Sequence, residues 1–217
     1  MSFSNSAQCW LILAFGLSAC SQAPDLQVAY VDLVEREGRY YQKFSDDPFT
    51  GLAVGSMAGE VRNGLWHGKV LTFNSGGQLL VRESFREGVL NGTSTWFRDG
   101  EPWQQVVYQD GLLHGEFYST PQGGESVKGS FQFGALDGSL EVHWPYDDGL
   151  QYKTNYAKGL ISDDSVTFFA RDSGARTLSV TLVDGIQNGI AESYFTEGEL
   201  NAEQVEYQAT WLNGELE

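Results

Sequence analysis

The chain has little of what most protein chemistry uses. Its 217 residues include only two cysteines, three histidines and five prolines. Both cysteines, Cys9 and Cys20, lie near the N-terminus. Beyond Cys20 no thiol remains, which excludes thiol catalysis, disulfide stapling and cysteine metal sites there. Basic residues are also scarce: 13 Lys and Arg stand against 29 Asp and Glu, for a formal net charge of −16. None of these charges falls within residues 1–20. So acidic a surface repels nucleic-acid phosphates and anionic lipid headgroups, and it favours solubility and basic partners. No nucleic-acid partner is expected.

One long apolar run exists, Cys9 to Ala19, reading CWLILAFGLSA. It is too short to cross a bilayer and has the length of a signal-peptide core. The preceding Met1–Gln8 carries no Lys or Arg. The run ends in Leu17-Ser18-Ala19-Cys20, which resembles a lipobox, where the cysteine receives a diacylglycerol and becomes the new N-terminus. On that resemblance residues 1–19 are a lipoprotein signal peptide, Cys20 is the lipidation site and residues 20–34 are a lipidated tether. Ser21 then implies sorting to the periplasmic side of the outer membrane if the cell is Gram-negative. Acyl chains hold a protein on a membrane by hydrophobic transfer, so the only membrane contact expected is the lipid anchor.

What is abundant is glycine, with 26 residues, and aromatics, with six Trp, ten Tyr and thirteen Phe. The glycines are phased. Gly-x-x-x-Gly recurs at Gly64/Gly68, Gly88/Gly92, Gly111/Gly115, Gly134/Gly138 and Gly185/Gly189. Degenerate copies follow Gly159 with Asp163, and Thr210 with Gly214. Successive first positions are 24, 23, 23, 25, 26 and 25 residues apart, a period too narrow for chance.

Two further positions keep this phase. Three residues before each first position sit Phe85, Tyr108, Phe131, Tyr156, Leu182 and Tyr207. Five after each second position sit Phe73, Phe97, Thr120, His143, Phe168 and Tyr194. Between glycine pairs lie two strand-like runs rich in β-branched and aromatic residues, such as Thr93–Phe97 and Trp103–Tyr108. Turn residues such as Arg98-Asp99-Gly100 and Asp172-Ser173-Gly174 separate them. No window holds a helical period. Each unit is therefore one β-hairpin, stable only when stacked on its neighbours. The expected fold is all-β, an elongated antiparallel sheet of consecutive hairpins over residues 35–217.

Motifs such as Phe85-Arg86-Glu87-Gly88-Val89-Leu90-Asn91-Gly92 and Tyr108-Gln109-Asp110-Gly111-Leu112-Leu113-His114-Gly115 resemble the MORN repeat in its bacterial form. Glu37-Gly38-Arg39-Tyr40-Tyr41 and Asp46-Asp47-Pro48-Phe49-Thr50-Gly51 resemble the opening segment of proteins labelled YwqK-family antitoxins. The likeness covers roughly residues 35–214. It implies a repeat architecture and, as one function, neutralisation of a toxin.

No catalytic constellation emerges. His67 and His114 share a repeat position two units apart, roughly 20 Å in a regular array, too far to share a metal. Gly55-Ser56-Met57-Ala58-Gly59 lacks the glycine two before the serine that a nucleophile elbow needs. Asp46-Asp47, Asp147-Asp148 and Asp163-Asp164 lack EF-hand spacing. Neither a metal nor a cofactor is expected. Alternation along the strands puts Trp96 opposite Phe97, and Trp103 opposite Tyr108. If the recurring aromatics form the buried face, Trp96 and Trp103 face outward as partner-binding residues. The expected function is a non-enzymatic envelope scaffold that binds an unidentified protein, a basic toxin being one candidate. Carbohydrate binding on the aromatic sheet is the other alternative.

Overall fold

The computed structural model describes residues 26–145, 149–162, 165–183, 186–194, 204–212 and 214–216. The signal segment, Cys20, Gly185, Asp147-Asp148 and Asp163-Asp164 lie outside the described residues. Apart from a single 3-10 turn at Tyr30–Asp32, the regular structure described is all strand. The N-terminal strands are β1 (Gln27–Ala29), β2 (Leu33–Arg36), β3 (Arg39–Gln42), β4 (Gly51–Val54), β5 (Met57–Arg62) and β6 (Leu65–Phe73). The middle of the chain forms β7 (Leu79–Arg86), β8 (Val89–Leu90), β9 (Gly92–Arg98), β10 (Glu101–Gln109), β11 (Leu112–Leu113), β12 (Gly115–Ser119), β13 (Ser126–Gln132), β14 (Ala135–Leu136) and β15 (Gly138–His143). The last are β16 (Leu150–Ala157), β17 (Leu160–Ile161), β18 (Ser165–Phe169), β19 (Arg176–Val183), β20 (Ile186–Tyr194), β21 (Val205–Leu212) and β22 (Glu215–Leu216). All but β2 and β3 join one sheet, and those two form a separate hairpin. From β4 onward the pairings are antiparallel and follow chain order, while β1 adds to β4 in parallel.

The phased glycines set this order. At one edge of the sheet, hairpins close through two residues with positive φ: Asn63-Gly64, Glu87-Gly88, Asp110-Gly111, Phe133-Gly134 and Lys158-Gly159. That is a type I′ turn, whose twist matches the strands it joins. The second glycine of each pair also has positive φ, from +70° at Gly68 to +111° at Gly189. There the register skips: Gly59 faces Val70, and its neighbour Glu60 faces His67. The chain thereby steps from its old partner strand to its new one.

Six of the turn glycines are bonded to the chain near the turn before them. The amide of Gly64 donates to the Phe49 carbonyl at 2.7 Å, Gly88 to Trp66 at 2.9 Å and Gly111 to Leu90 at 2.9 Å. Gly134 donates to Leu113 and Gly159 to Leu136, both at 2.8 Å, and Gly214 to Gln187 at 2.9 Å. This ladder also corrects the phase of the last unit. Gly214 holds a first position, not a second, because Trp211 pairs with Leu216 as Phe85 pairs with Leu90. Trp211, not Tyr207, is then the residue three before the turn. In the preceding unit Phe169, not Phe168, matches His143, since Phe169 faces Arg176 as His143 faces Leu150.

A one-residue bulge recurs at the other end of the hairpins. It leaves Leu80, Trp103, Gln151, Thr177 and Glu206 unpaired against the preceding strand. The bulge always falls eight residues before the turn glycine, so the faces stay in phase from unit to unit.

The core sits at the N-terminal end. Val28, Leu33 and Phe49 pack with Ala53, Val61, Trp66 and Val70, all buried. Tyr30 and Tyr40 close over the Trp66 ring, with centroids 6.2 and 5.3 Å away. Burial pushes the Tyr40 hydroxyl up to about 12. Strand β1 thus lies within residues 20–34, where Val28 and Leu33 help cover the first strands.

Two glycine substitutions separate conformation from contact. A Cβ at Gly64 (φ +78°) would lie 2.8 Å from the Arg39 Cβ and 3.1 Å from the Tyr40 carbonyl, whereas one at Gly77 (φ +79°) meets nothing within 4 Å. Gly77→Ala is expected to cost about 1 kcal/mol from the backbone alone. Gly64→Ala is expected to cost about 2 kcal/mol or more. Urea unfolding of both variants measures the difference, and equal losses would contradict the close packing of cap on turn.

Candidate interaction surface

Register assigns every strand residue to one of two faces. One row of cross-strand neighbours runs from Ala58 through Leu71, Arg82, Thr95, Gln105, Tyr118, Lys128, Glu141, Lys153, Thr167, Ser179 and Glu192 to Gln208. This is a polar face. Lys153 holds the Glu141 carboxylate at 2.9 Å, and that hydrogen bond lowers the Glu141 carboxyl below its ordinary value. The pair is exposed enough to contribute little to stability.

The adjacent row points the other way: Met57, Thr72, Val81, Trp96, Gln104, Ser119, Val127, Val142, Tyr152, Phe168, Leu178, Ser193 and Tyr207. Two residues along each strand, the same face carries Val70, Val106, Leu140 and Val180, and then Phe85, Tyr108, Phe131, Tyr156 and Leu182. It is an apolar face. The N-terminal segment covers it at β4–β6 and reaches Phe85. Among the described residues nothing is layered over it from β9 to β21.

The two recurring aromatic series do not share a face. Phe73 and Phe97 belong with the polar row, whereas Phe85, Tyr108 and Phe131 belong with the apolar one. Trp96 pairs with Gln104, four residues from Tyr108, and so stands on the apolar face with Tyr108 rather than opposite to it. Trp103 occupies the bulge, where simple alternation fails, and its ring lies under the Arg98 guanidinium at 4.7 Å. Both Trp residues are half-buried. The structure thus groups Trp96 with the apolar side chains and engages Trp103 within the chain.

Two residues break their repeat columns, and neither stood out from the motifs alone. Phe133 precedes a turn glycine where other units have Asn63, Glu87, Asp110 and Lys158. It holds φ +49°, unusual for a bulky residue, and is 67% exposed against the His114 ring. Glu83 lies on the apolar face, directly across from fully buried Val70. The side chains facing it on β6, β7 and β9 are Val70, Val81, Phe85 and Ser94, none of which titrates. Lys69 and Arg82 belong to the opposite face. Desolvation pushes the Glu83 carboxyl above its ordinary range.

Among the described residues no three His, Cys, Asp or Glu side chains gather around a metal-sized space. His143 is buried on the polar face, with its Nε2 3.8 Å from a Glu141 oxygen. A shallow depression on that face, lined by Gln105, Glu116, Tyr118, Lys128, Ser130 and Glu141, is open to solvent. No protein-family model matches the sequence, and no curated protein matches it.

The Glu83 shift sets a pH dependence. A raised carboxyl in the native state means the native state binds this proton more tightly than the unfolded chain. Below the ordinary carboxylate range both states are protonated and no penalty exists. As pH rises through the raised range, the native state carries a desolvated charge and stability falls. Glu83→Gln is expected to match the wild type in acid and to exceed it at neutral pH. Urea midpoints across pH test this, and a variant advantage that does not change with pH would contradict it.

Proposed function

We propose that the chain is a non-enzymatic, lipid-anchored scaffold of the cell envelope whose uncovered apolar face binds a protein. The observation that carries the reading is the continuity of that face. It runs in phase from Val81 and Trp96, across Gln104 and Ser119, to Val127, Tyr152 and Leu178, and the N-terminal cap covers only its first strands. Soluble proteins rarely leave so long an apolar surface open unless something docks on it. Aromatic residues are the usual anchors of such contacts, and Trp96 and Tyr108 are central here. The lipobox-like Leu17-Ser18-Ala19-Cys20 supports anchoring through Cys20, with the folded part reaching out on the tether.

A narrower reading is an antitoxin or immunity protein. It rests on the resemblance to MORN-type, YwqK-family sequences and on the net charge of −16, which suits rapid capture of a basic toxin. Carbohydrate binding is the weaker alternative. It would use the depression on the polar face around Tyr118.

The test is co-purification after in-cell crosslinking, from detergent-solubilised envelopes. The wild type is compared with Cys20→Ser, the double variant Trp96→Ala/Tyr108→Ala and the polar-face variant Tyr118→Ala. Cys20→Ser is expected to leave the membrane fraction. The apolar-face double variant should lose a crosslinked protein that Tyr118→Ala retains. Retention by the folded double variant would contradict the docking face, and a membrane-bound Cys20→Ser would contradict the anchor.

A further inference from the structure

The repeat supplies an internal comparison at the column five residues before each turn glycine. Six units place Gly59, Val106, Gly129, Thr154, Val180 and Ala209 there, all small or apolar. The seventh places Glu83. These residues share one cross-strand row of the apolar face, and Glu83 is the only charge in that row: Val70 pairs with Glu83, Val106 with Ser94, and Val180 with Val166.

The side chains around Glu83 include no cation. Val70 is fully buried and Val106 is 7% exposed. The β7–β9 register, Val81 with Trp96 and Arg82 with Thr95, carried one step further brings Ser94 beside Glu83. Ser94 is fully buried and its hydroxyl has no hydrogen-bond partner. Glu83 itself has no hydrogen bond or ion pair among the described residues. The bases on neighbouring strands are turned away or engaged elsewhere. Lys69 and Arg82 sit on the polar face, the latter over the Phe97 ring at 5.3 Å, and Arg86 is paired with Asp110. A half-buried carboxylate without a partner costs stability, and a valine would fill the column better. A group that costs stability where it stands is a candidate for function.

We propose that Glu83 is the anchor for a lysine or arginine side chain, carried by an apolar segment of a protein partner that seats on the open face beside Trp96. The inference rests on the docking role given to that face above. The carboxylate supplies the counter-charge. Val81, Trp96 and Val106 supply the apolar bed that excludes water and strengthens the pair. The chain's own bases are few, so the missing cation comes from outside, and the net charge of −16 steers basic segments toward the surface.

The probe is a synthetic decapeptide alternating leucine and arginine, set against the same peptide with neutral citrulline for arginine. Binding is measured by calorimetry at physiological ionic strength. The chains tested are the wild type, Glu83→Gln, Glu83→Val, Trp96→Ala and Glu116→Gln, the last removing an exposed acid from the polar face. The wild type and Glu116→Gln are expected to bind the arginine peptide equally. Glu83→Gln should weaken it at least tenfold and bring it level with the citrulline peptide. Glu83→Val should bind as weakly while melting at a higher temperature, which a purely structural carboxylate would not do. Arginine and citrulline peptides binding the wild type alike, or Glu83→Gln binding as the wild type does, overturns the proposal. If Trp96→Ala weakens binding and Glu83→Gln does not, only the cation is wrong. If neither variant matters, the docking face itself is wrong.

Discussion

A single backbone hydrogen bond, repeated once per unit, organises this protein. In an isolated type I′ turn the amide of the second turn residue points at solvent. Here the amides of Gly88, Gly111, Gly134 and Gly159 each donate to a carbonyl of the preceding turn. Each bond contributes only about 1 kcal/mol. Its larger effect is on register. It fixes where one hairpin sits against the next, and a slip by one residue would send every side chain to the wrong face. Glycine suits the donor position because its φ is positive. At Gly88 a Cβ would lie 3.0 Å from the Leu65 side chain.

The rest follows from register. With the turns locked in phase, and with a bulge eight residues before five of the turn glycines, side chains of like character line up across the strands. One face becomes a ladder of hydroxyl, amide and paired charge. The other becomes a strip of Val, Leu, Tyr, Phe and Trp. A single-layer sheet cannot bury that strip by itself. The first strands are covered by Val28, Leu33, Phe49, Tyr30 and Tyr40, and that cover is where most of the fully buried side chains occur. Farther along, the strip is half-buried by its own neighbours. The same constraint that orders the array thus leaves an apolar face in need of a second layer, and this motivates the docking role.

Much of the fold was legible in the sequence because its signals are conformational. Asp110-Gly111 and Arg98-Asp99-Gly100 announce turns through residues that tolerate positive φ. Phe85, Tyr108 and Phe131 announce strands by type and spacing. The features that escaped have no compositional mark. The bulge column holds Leu80, Trp103, Gln151, Thr177 and Glu206, which share no property, so alternation alone could not place Trp103. The last unit is longer, and Thr210 happened to sit at the expected spacing, which hid the true position of Gly214. The cap over β4–β6 lies outside the repeat, and no period could reveal it. Glu83 is different. Its column is visible in the sequence, but its meaning required knowing that the column faces the apolar side.

Amide hydrogen exchange, resolved by residue, reads the turn ladder most directly. Gly88, Gly111, Gly134 and Gly159 are expected to exchange slowly and as a group. Gly100 has the same local turn, with positive φ at Asp99 and Gly100, and no lateral acceptor among the described residues. It is expected to exchange at the rate of an open turn. Fast exchange at the four ladder glycines, equal to that at Gly100, would contradict a fold organised by turn-to-turn bonding.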